Sequence, residues 1–274
     1  AAYPGPAFGI AGTRQLAGVA SGPLIGTIIK PSVGLNPEQT AAEVKKLVGG
    51  GIDFIKDDEL QADGPHCPFD ERVRAVMREI NTAAQRSGKK AMFAFNLTGE
   101  LDQMKRRHDL VVAQGGTCVM ASLNSIGLVG LHELRRHRAL PIHAHRNGWG
   151  YLSRSPALGW DYAPWQQIWR LAGADHLHVD GEHRARPKPT VDGCAPPHDV
   201  RVHESLRRTD PALQGVLDVR LIAHGRFDRP RCGHRLRVHA RPLVADARGR
   251  AALEALSGLR QPVRDCRRRG PPPG

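Results

Sequence analysis

The chain has 274 residues, 40% of them hydrophobic, and a net charge of +13 from 40 Lys+Arg against 27 Asp+Glu, so it holds enough apolar side chain for one large core. No apolar run reaches the ~18 residues that span a membrane, and the opening A-A-Y-P-G-P has neither the basic start nor the apolar run of a signal peptide, so a cytoplasmic protein with no membrane partner is expected. The five cysteines, Cys67, Cys118, Cys194, Cys232 and Cys266, are odd in number, far apart and form no C-x-x-C pair, so neither a disulfide framework nor a zinc ribbon is suggested; Cys118 reads as a small buried residue.

Three segments follow from the sequence: a lead-in over 1–23, an organised region over 24–181 and a basic tail over 182–274. In the organised region short apolar runs alternate with helical patterns. A strand over 24–30 (LIGTIIK) is closed by Pro31, and Asn36-Pro37-Glu38 opens a helix that Gly49-Gly50-Gly51 stops. The next strand carries the organising stretch, 51–59 (GIDFIKDDE). A helix over 70–87, a strand over 91–97, a helix over 99–114 and a strand over 117–122 come next. Helices around 130–138 and 163–172 then flank strands over 141–146 and 176–180. Six strands and five helices spaced in this way predict consecutive βα units on a parallel sheet. An α/β fold of (β/α)8 TIM-barrel type, truncated after about six β/α units, fits best; a doubly wound sheet is disfavoured because no G-x-G-x-x-G follows the first strand.

The organising strand ends in four ionisable residues, Lys56, Asp57, Asp58 and Glu59. Buried charges need partners, since an unpaired carboxylate or ammonium costs several kcal/mol to desolvate. Alternation sends Lys56 and Asp58 to one face and Asp57 and Glu59 to the other, and curvature at a strand end can bring Asp58 and Glu59 together. Such oxygens suit Mg2+; a salt bridge from Lys56 to a neighbouring carboxylate suits them equally. A barrel collects its chemistry at the C-terminal ends of its strands, and there this sequence carries Lys30, Lys56 with Asp58 and Glu59, Asn96, His143 with His145 and Arg146, and His176 with His178.

The runs GPLIGTIIKPSVGL, GGGIDFIKDDE, IHAHRNGWGYLSRSP and ADHLHV resemble the large subunit of ribulose bisphosphate carboxylase, and its rubisco-like proteins more than its true carboxylases, from about Tyr3 to about Gly181. The resemblance implies that Lys56, converted by CO2 to a carbamate, binds Mg2+ with Asp58 and Glu59. It implies catalytic roles for Lys30, Lys56, His145 and His178, substrate binding by Arg146 and Asn96, a sugar-phosphate substrate that is enolised, and a homodimer in the full-length parent. Ser32 stands where carboxylases have a lysine, and Trp149 where they have a histidine, which keeps the enolisation core and puts CO2 fixation in doubt. The H-R-N-G-W-G-Y-L-S-R-S-P version of the motif inclines the reading to a lyase that decarboxylates an oxo-sugar-acid phosphate. A true carboxylase and an isomerase or enolase of methylthio-sugar phosphates are the alternatives.

The family's N-terminal domain is expected to be missing ahead of 1–23, and its seventh and eighth strands are not legible after Gly181. Residues 181–274 hold 20 Lys+Arg against 10 Asp+Glu, 19 of those cations being Arg, with 11 of the 21 prolines, one aromatic (Phe227) and one isoleucine (Ile222). A segment so poor in large apolar side chains offsets little conformational entropy, so the tail is expected to be disordered or read out of frame from GC-rich DNA. As a second class of function, Arg267-Arg268-Arg269 would attract phosphates, yet no interleaved aromatics or finger spacing argue for a nucleic-acid partner. A metallohydrolase with His-x-His ligands is a third class, and there a His-x-His pair would be expected at the first strand, where this chain has 27–30 (TIIK).

Overall fold

The computed structural model describes residues 3–137, 139–155 and 157–178, and the backbone of 219–221. In chain order the elements are α1 (Gly9–Ala17), β1 (Leu24–Ile28), α2 (Pro37–Gly49), β2 (Phe54–Lys56), α3 (Phe69–Ser87), β3 (Met92–Asn96), α4 (Leu101–Ala113), β4 (Cys118–Ser122), α5 (Leu123–His137), β5 (Ile142–His145), α6 (Trp149–Ser153), α7 (Tyr162–Ala172), β6 (His176–Leu177) and β7 (Val219–Leu221). The strands form one parallel sheet in the order β6-β5-β4-β3-β2-β1-β7. Strands β1 to β6 are a curled half-barrel with helices outside it, as the βα alternation predicts.

Local signals set the helix ends. At the start of α2 the Asn36 side chain accepts from the Gln39 amide at 2.8 Å and the Gln39 side chain accepts from the Asn36 amide at 3.0 Å, a reciprocal cap with Pro37 in the first turn. Asp63 accepts from the Phe69 amide at 2.8 Å where α3 begins, and Gly88, at φ 71°, ends that helix in the left-handed conformation.

Alternation along the strands divides the core in two. Ile25, Ile55, Phe93, Phe95, Val119, Ala121, Ile142 and Ala144 pack outward against the helices, while Leu24, Phe54, Met92, Ala94, Cys118 and Met120 fill the inside. Both faces are therefore apolar, as parallel strands require. A Cβ on Gly26 would lie 3.2 Å from the Phe54 ring and from its carbonyl oxygen, so any larger residue there would push β1 and β2 apart by a few tenths of an ångström.

Helix α1 is not legible in the sequence, where two glycines and a threonine weaken the helical pattern of 9–17. Packing makes it: Ala17 and Val19 join the inner cluster and close the floor of the half-barrel, and Thr13 Oγ1 meets His176 Nε2 at 2.8 Å. The Asp175 carboxylate fastens the helix start by accepting from the Phe8 and Gly9 amides at 2.7 and 3.0 Å. Thus the segment 1–23 holds part of the barrel floor.

A repeated device starts the strands. Asp53, in G-I-D, accepts from the Ile25 amide of β1 at 2.8 Å, and Asp175, in G-A-D, accepts from the Ile142 amide of β5 at 2.9 Å. Thr117 does the same more weakly for Phe93, at 3.3 Å. Each acceptor satisfies a neighbouring strand's amide where the ladder begins.

Several boundaries differ from expectation. Strand β2 is confined to three residues, because the charged residues after Lys56 turn away to find partners, and α5 begins at Leu123 with a non-helical break at Gly127 (φ 65°) rather than near 130. The short α6 is missed by periodicity, its start being Gly148 at φ 82°. After Gly181, where the family's seventh and eighth strands are not legible in the sequence, the backbone of β7 pairs in parallel with β1 through Leu24↔Val219, Ile25↔Arg220 and Gly26↔Leu221. Apart from that backbone, the expectations for 182–274 lie outside the described residues. Cys67 and Cys118 are free and buried, and among the described residues no helix is long and apolar enough to cross a membrane.

Candidate active site

The C-terminal ends of β1 to β6 converge, and the strand register explains why. Phe54, Lys56, Asn96, Met120, His143, His145 and His176 share one alternation, since Ile28 pairs with Lys56, Lys56 with Ala94, Asn96 with Met120, Met120 with His143, and His143 with His176. The polar members lie above the apolar floor on the same inward face.

Lys56 is 2% exposed. Its Nζ donates to the Asp57 carbonyl oxygen at 2.9 Å, lies 3.4 Å from Glu59 Oε2 and 3.8 Å from Met120 Sδ. Burial pushes this amine below its ordinary value, while Glu59 and Asp58 pull the other way. Asp58 turns towards β1: Lys30 Nζ and Ser32 Oγ both donate to its Oδ2, the latter at 2.9 Å, and the Leu60 amide donates to Oδ1 at 2.9 Å. Burial lifts that carboxyl, but the Lys30, Leu60 and Ser32 hydrogen bonds outweigh it and hold it below the usual carboxylate range. Lys30 also donates to Ser32 Oγ at 3.0 Å, so Ser32 links the other two.

Asp57 takes the opposite face, as alternation predicts. It pairs with the fully buried Arg72 of α3 at 3.2 Å, and Arg72 in turn donates to the carbonyls of Gln61, Ala62 and Cys67. That pair anchors the β2–α3 loop and leaves Glu59 free to curve round to the Lys56 side. Asn96 fixes the same loop from β3: its Nδ2 donates to the Asp58 and Glu59 carbonyls at 3.2 and 3.1 Å, while its Oδ1 accepts from Thr98 Oγ1 at 2.7 Å. Thr98 carries no sequence signal for this role.

Imidazoles line the other side. His143 Nε2 and His178 Nε2 are 3.1 Å apart, and the His145 and His178 ring centroids 4.6 Å. The Asn147 amide donates to His145 Nδ1 at 3.1 Å, which leaves Nε2 to carry the proton towards Glu59 Oε2, 3.7 Å away. Burial, with Lys56 adding to it, lowers His145 to about 4, and burial lowers His176 to about 4. Burial and the neighbouring histidines hold His143 well below its ordinary value, and burial with His145 does the same to His178. These rings are neutral at pH 7 and can give or take a proton or a hydrogen bond.

Second-layer contacts steady this side. Tyr162 Oη and Gln166 Nε2, the latter at 2.9 Å, both donate to the His178 carbonyl. Arg146 lies over the Tyr162 ring at 5.7 Å, and buried Trp149 meets the Tyr162 and Trp165 rings, each centroid at 5.0 Å. The indole is thus packing behind the site. Lys30, Lys56, Asp58, Glu59, Asn96 and His145 form one connected group; His178 joins it through His145, and Arg146 stands at its rim. The roles of Ser32, Thr98, Tyr162 and Gln166 depend on contacts across the fold and leave no pattern in the sequence.

Residues 9–186 match the family described as ribulose bisphosphate carboxylase large chain, catalytic domain. The chain is 73% identical over 180 residues to the 3-oxo-isoapionate-4-phosphate transcarboxylase/hydrolase of Xanthobacter autotrophicus, covering 66% of this chain and 44% of that one. It is 49% identical over 181 residues to the 3-oxo-isoapionate-4-phosphate decarboxylase of Rhizobium etli, covering 66% and 43%. An uncharacterised ribulose bisphosphate carboxylase-like protein of Bordetella bronchiseptica is 51% identical over 221 residues, covering 78% of this chain and 52% of its own, so that alignment runs beyond residue 181. The crystal structure of a rubisco-like protein from Burkholderia fungorum superposes with a TM-score of 0.64 at 52% identity, covering 66% of this chain and 45% of that one. The chain spans about half the length of the curated relatives it matches.

Proposed function

Since the chain belongs to the family of the ribulose bisphosphate carboxylase large chain, in its rubisco-like branch, we propose that its enzyme acts on 3-oxo-isoapionate 4-phosphate and cleaves the bond to its carboxyl carbon. The observation that carries this reading is the 73% identity over 180 residues to a transcarboxylase/hydrolase of that compound. Against 49% identity to a decarboxylase of the same compound, it favours the transcarboxylase/hydrolase outcome.

The donor set fits a magnesium ion. Glu59, Asp58 and a carbamate of Lys56 would hold it through oxygen atoms, and the lowered proton affinity of buried Lys56 favours the neutral amine that CO2 requires. Magnesium would supply Lewis-acid polarisation of the substrate's oxygens. Breaking the bond from the carboxyl carbon to the carbon next to the 3-oxo group releases the carboxyl carbon as CO2 and leaves the bonding pair on an enolate of that oxo group. The enolate must be held until it takes a proton or, in a transcarboxylase, takes CO2 back at another carbon. Lys30, at the open end of β1 and 34% exposed, would move that proton, with Asp58 and Ser32 orienting its Nζ. His145 and His178 offer neutral N–H donors to the substrate's oxygens, Arg146 serves its phosphate side, and Asn96 keeps the Asp58–Glu59 turn in position. A homodimer, in which a second subunit completes the site, belongs to the same reading.

The test is a full-length chain carrying this barrel, given substrate labelled in its carboxyl carbon. Consumption that depends on Mg2+, with solvent deuterium entering the product, is expected. Immediate release of all label as CO2 would assign the decarboxylase instead, and robust incorporation of labelled bicarbonate into ribulose bisphosphate would overturn the reading. For the tail, we propose a shifted reading frame after codon 181. Neither alternative frame restoring a glycine-rich strand-helix pattern, with cooperative unfolding of the purified tail, would overturn it; the Bordetella alignment beyond residue 181 and β7 argue against it.

A further inference from the structure

On the outer wall, away from the strand ends, α4 and α5 bring His108, Asp109 and His137 together. His108 and Asp109 are consecutive on α4, and His137 is the last residue of α5. The His108 Nδ1 lies 3.1 Å and the His137 Nδ1 3.8 Å from the same oxygen, Asp109 Oδ1. The two rings are tilted at 42° with centroids 5.0 Å apart. One donor atom from each of the three residues lies within 4.8 Å of the others.

We propose that these three side chains form a site for a zinc-class divalent cation, which would clamp two successive βα units of the wall. Tetrahedral donors at ~2.0–2.1 Å from zinc stand roughly 3.3–3.5 Å from one another, so closure of the triad requires only small rotations of exposed side chains. Two imidazoles and one carboxylate suit zinc; magnesium and calcium prefer all-oxygen sets. His108 is nearly buried and therefore preorganised, whereas Asp109 and His137 reach solvent and give the ion an entry path. Three protein ligands leave a fourth position to water. Nothing in this proposal depends on the reading of the barrel mouth.

Zn2+ titrated calorimetrically into the metal-stripped protein tests it, with Co2+ absorption as a second reading of tetrahedral geometry. Wild type is expected to bind one Zn2+ at this site and to melt at higher temperature when loaded. His137→Ala and Asp109→Asn, both at the surface, should each weaken Zn2+ binding more than about tenfold and remove the tetrahedral Co2+ bands, with far-UV circular dichroism unchanged. Glu59→Gln should leave this binding as it is. Wild-type Zn2+ affinity in both surface variants, or loss of the binding in Glu59→Gln, would overturn the proposal.

Discussion

The two wings of the curled sheet handle buried charge in opposite ways. On the β1–β3 wing each carboxylate near the strand ends has a cation: Asp58 has Lys30, Glu59 has Lys56, Asp57 has Arg72 and Asp53 has Lys89. On the β5–β6 wing the rings of His143, His145, His176, His178 and Phe54 meet one another tilted or edge-on, and burial disfavours the protonated imidazoles. One wing pairs its ionisable groups and the other disfavours their charged form. The wings meet where His145 faces Glu59 at 3.7 Å, so a substrate held there would have charged donors on one side and neutral ones on the other.

The largest effect should come from removing the amine at the centre of the charged wing. Lys56→Ala should abolish Mg2+ binding in a full-length chain; unchanged magnesium affinity by calorimetry would sink the metal assignment. Next, Lys30→Met should lower kcat by roughly 10²–10⁴-fold, the range for a general acid or base. Its folding stability should change by less than about 1 kcal/mol, because Asp58 keeps Ser32 and Leu60 and Lys30 is 34% exposed. Equal losses of stability and rate would show that the pair is mainly architectural.

The strand-start carboxylates allow a matched comparison between the wings. Asp175→Ala leaves three amides without this acceptor and should cost about 2–4 kcal/mol in urea unfolding, with Asp53→Ala costing less. The reverse order would mean that α1 contributes little to the floor.

Acid sharpens the contrast further. His176 titrates at about 4 in the fold against an ordinary value of 6.5, so the unfolded chain binds the extra proton between those limits and stability falls as pH drops from 6.5 towards 4. The loss at pH 5 should be roughly 2 kcal/mol from this ring, and His176→Phe should flatten the slope. Asp58, whose carboxyl is depressed, contributes stability that is present above its unfolded value near ~3.9 and is lost only below it. Urea midpoints measured from pH 7 to pH 3 should therefore show the imidazole wing failing first; a single loss confined below pH 4 would contradict the difference between the wings.

Sequence alone determined the parts that repeat locally. Six strands in βα alternation, the cap at Asn36, and the strand-end residues Lys30, Lys56, Asp58, Glu59, Asn96, His145, Arg146 and His178 are legible because periodicity and capping act over a few residues. The tertiary structure decided which charges meet. Lys30 reaches Asp58 and Arg72 reaches Asp57 only through sheet curvature and helix placement, and alternation alone would have left Glu59 with Asp57. The same holds for α1, whose weak helical sequence is stabilised by the barrel floor, for β7 beside β1, and for His108, Asp109 and His137, which two helices bring to one point. Contacts across the fold depend on register and packing, and neither is encoded in any single stretch of the chain.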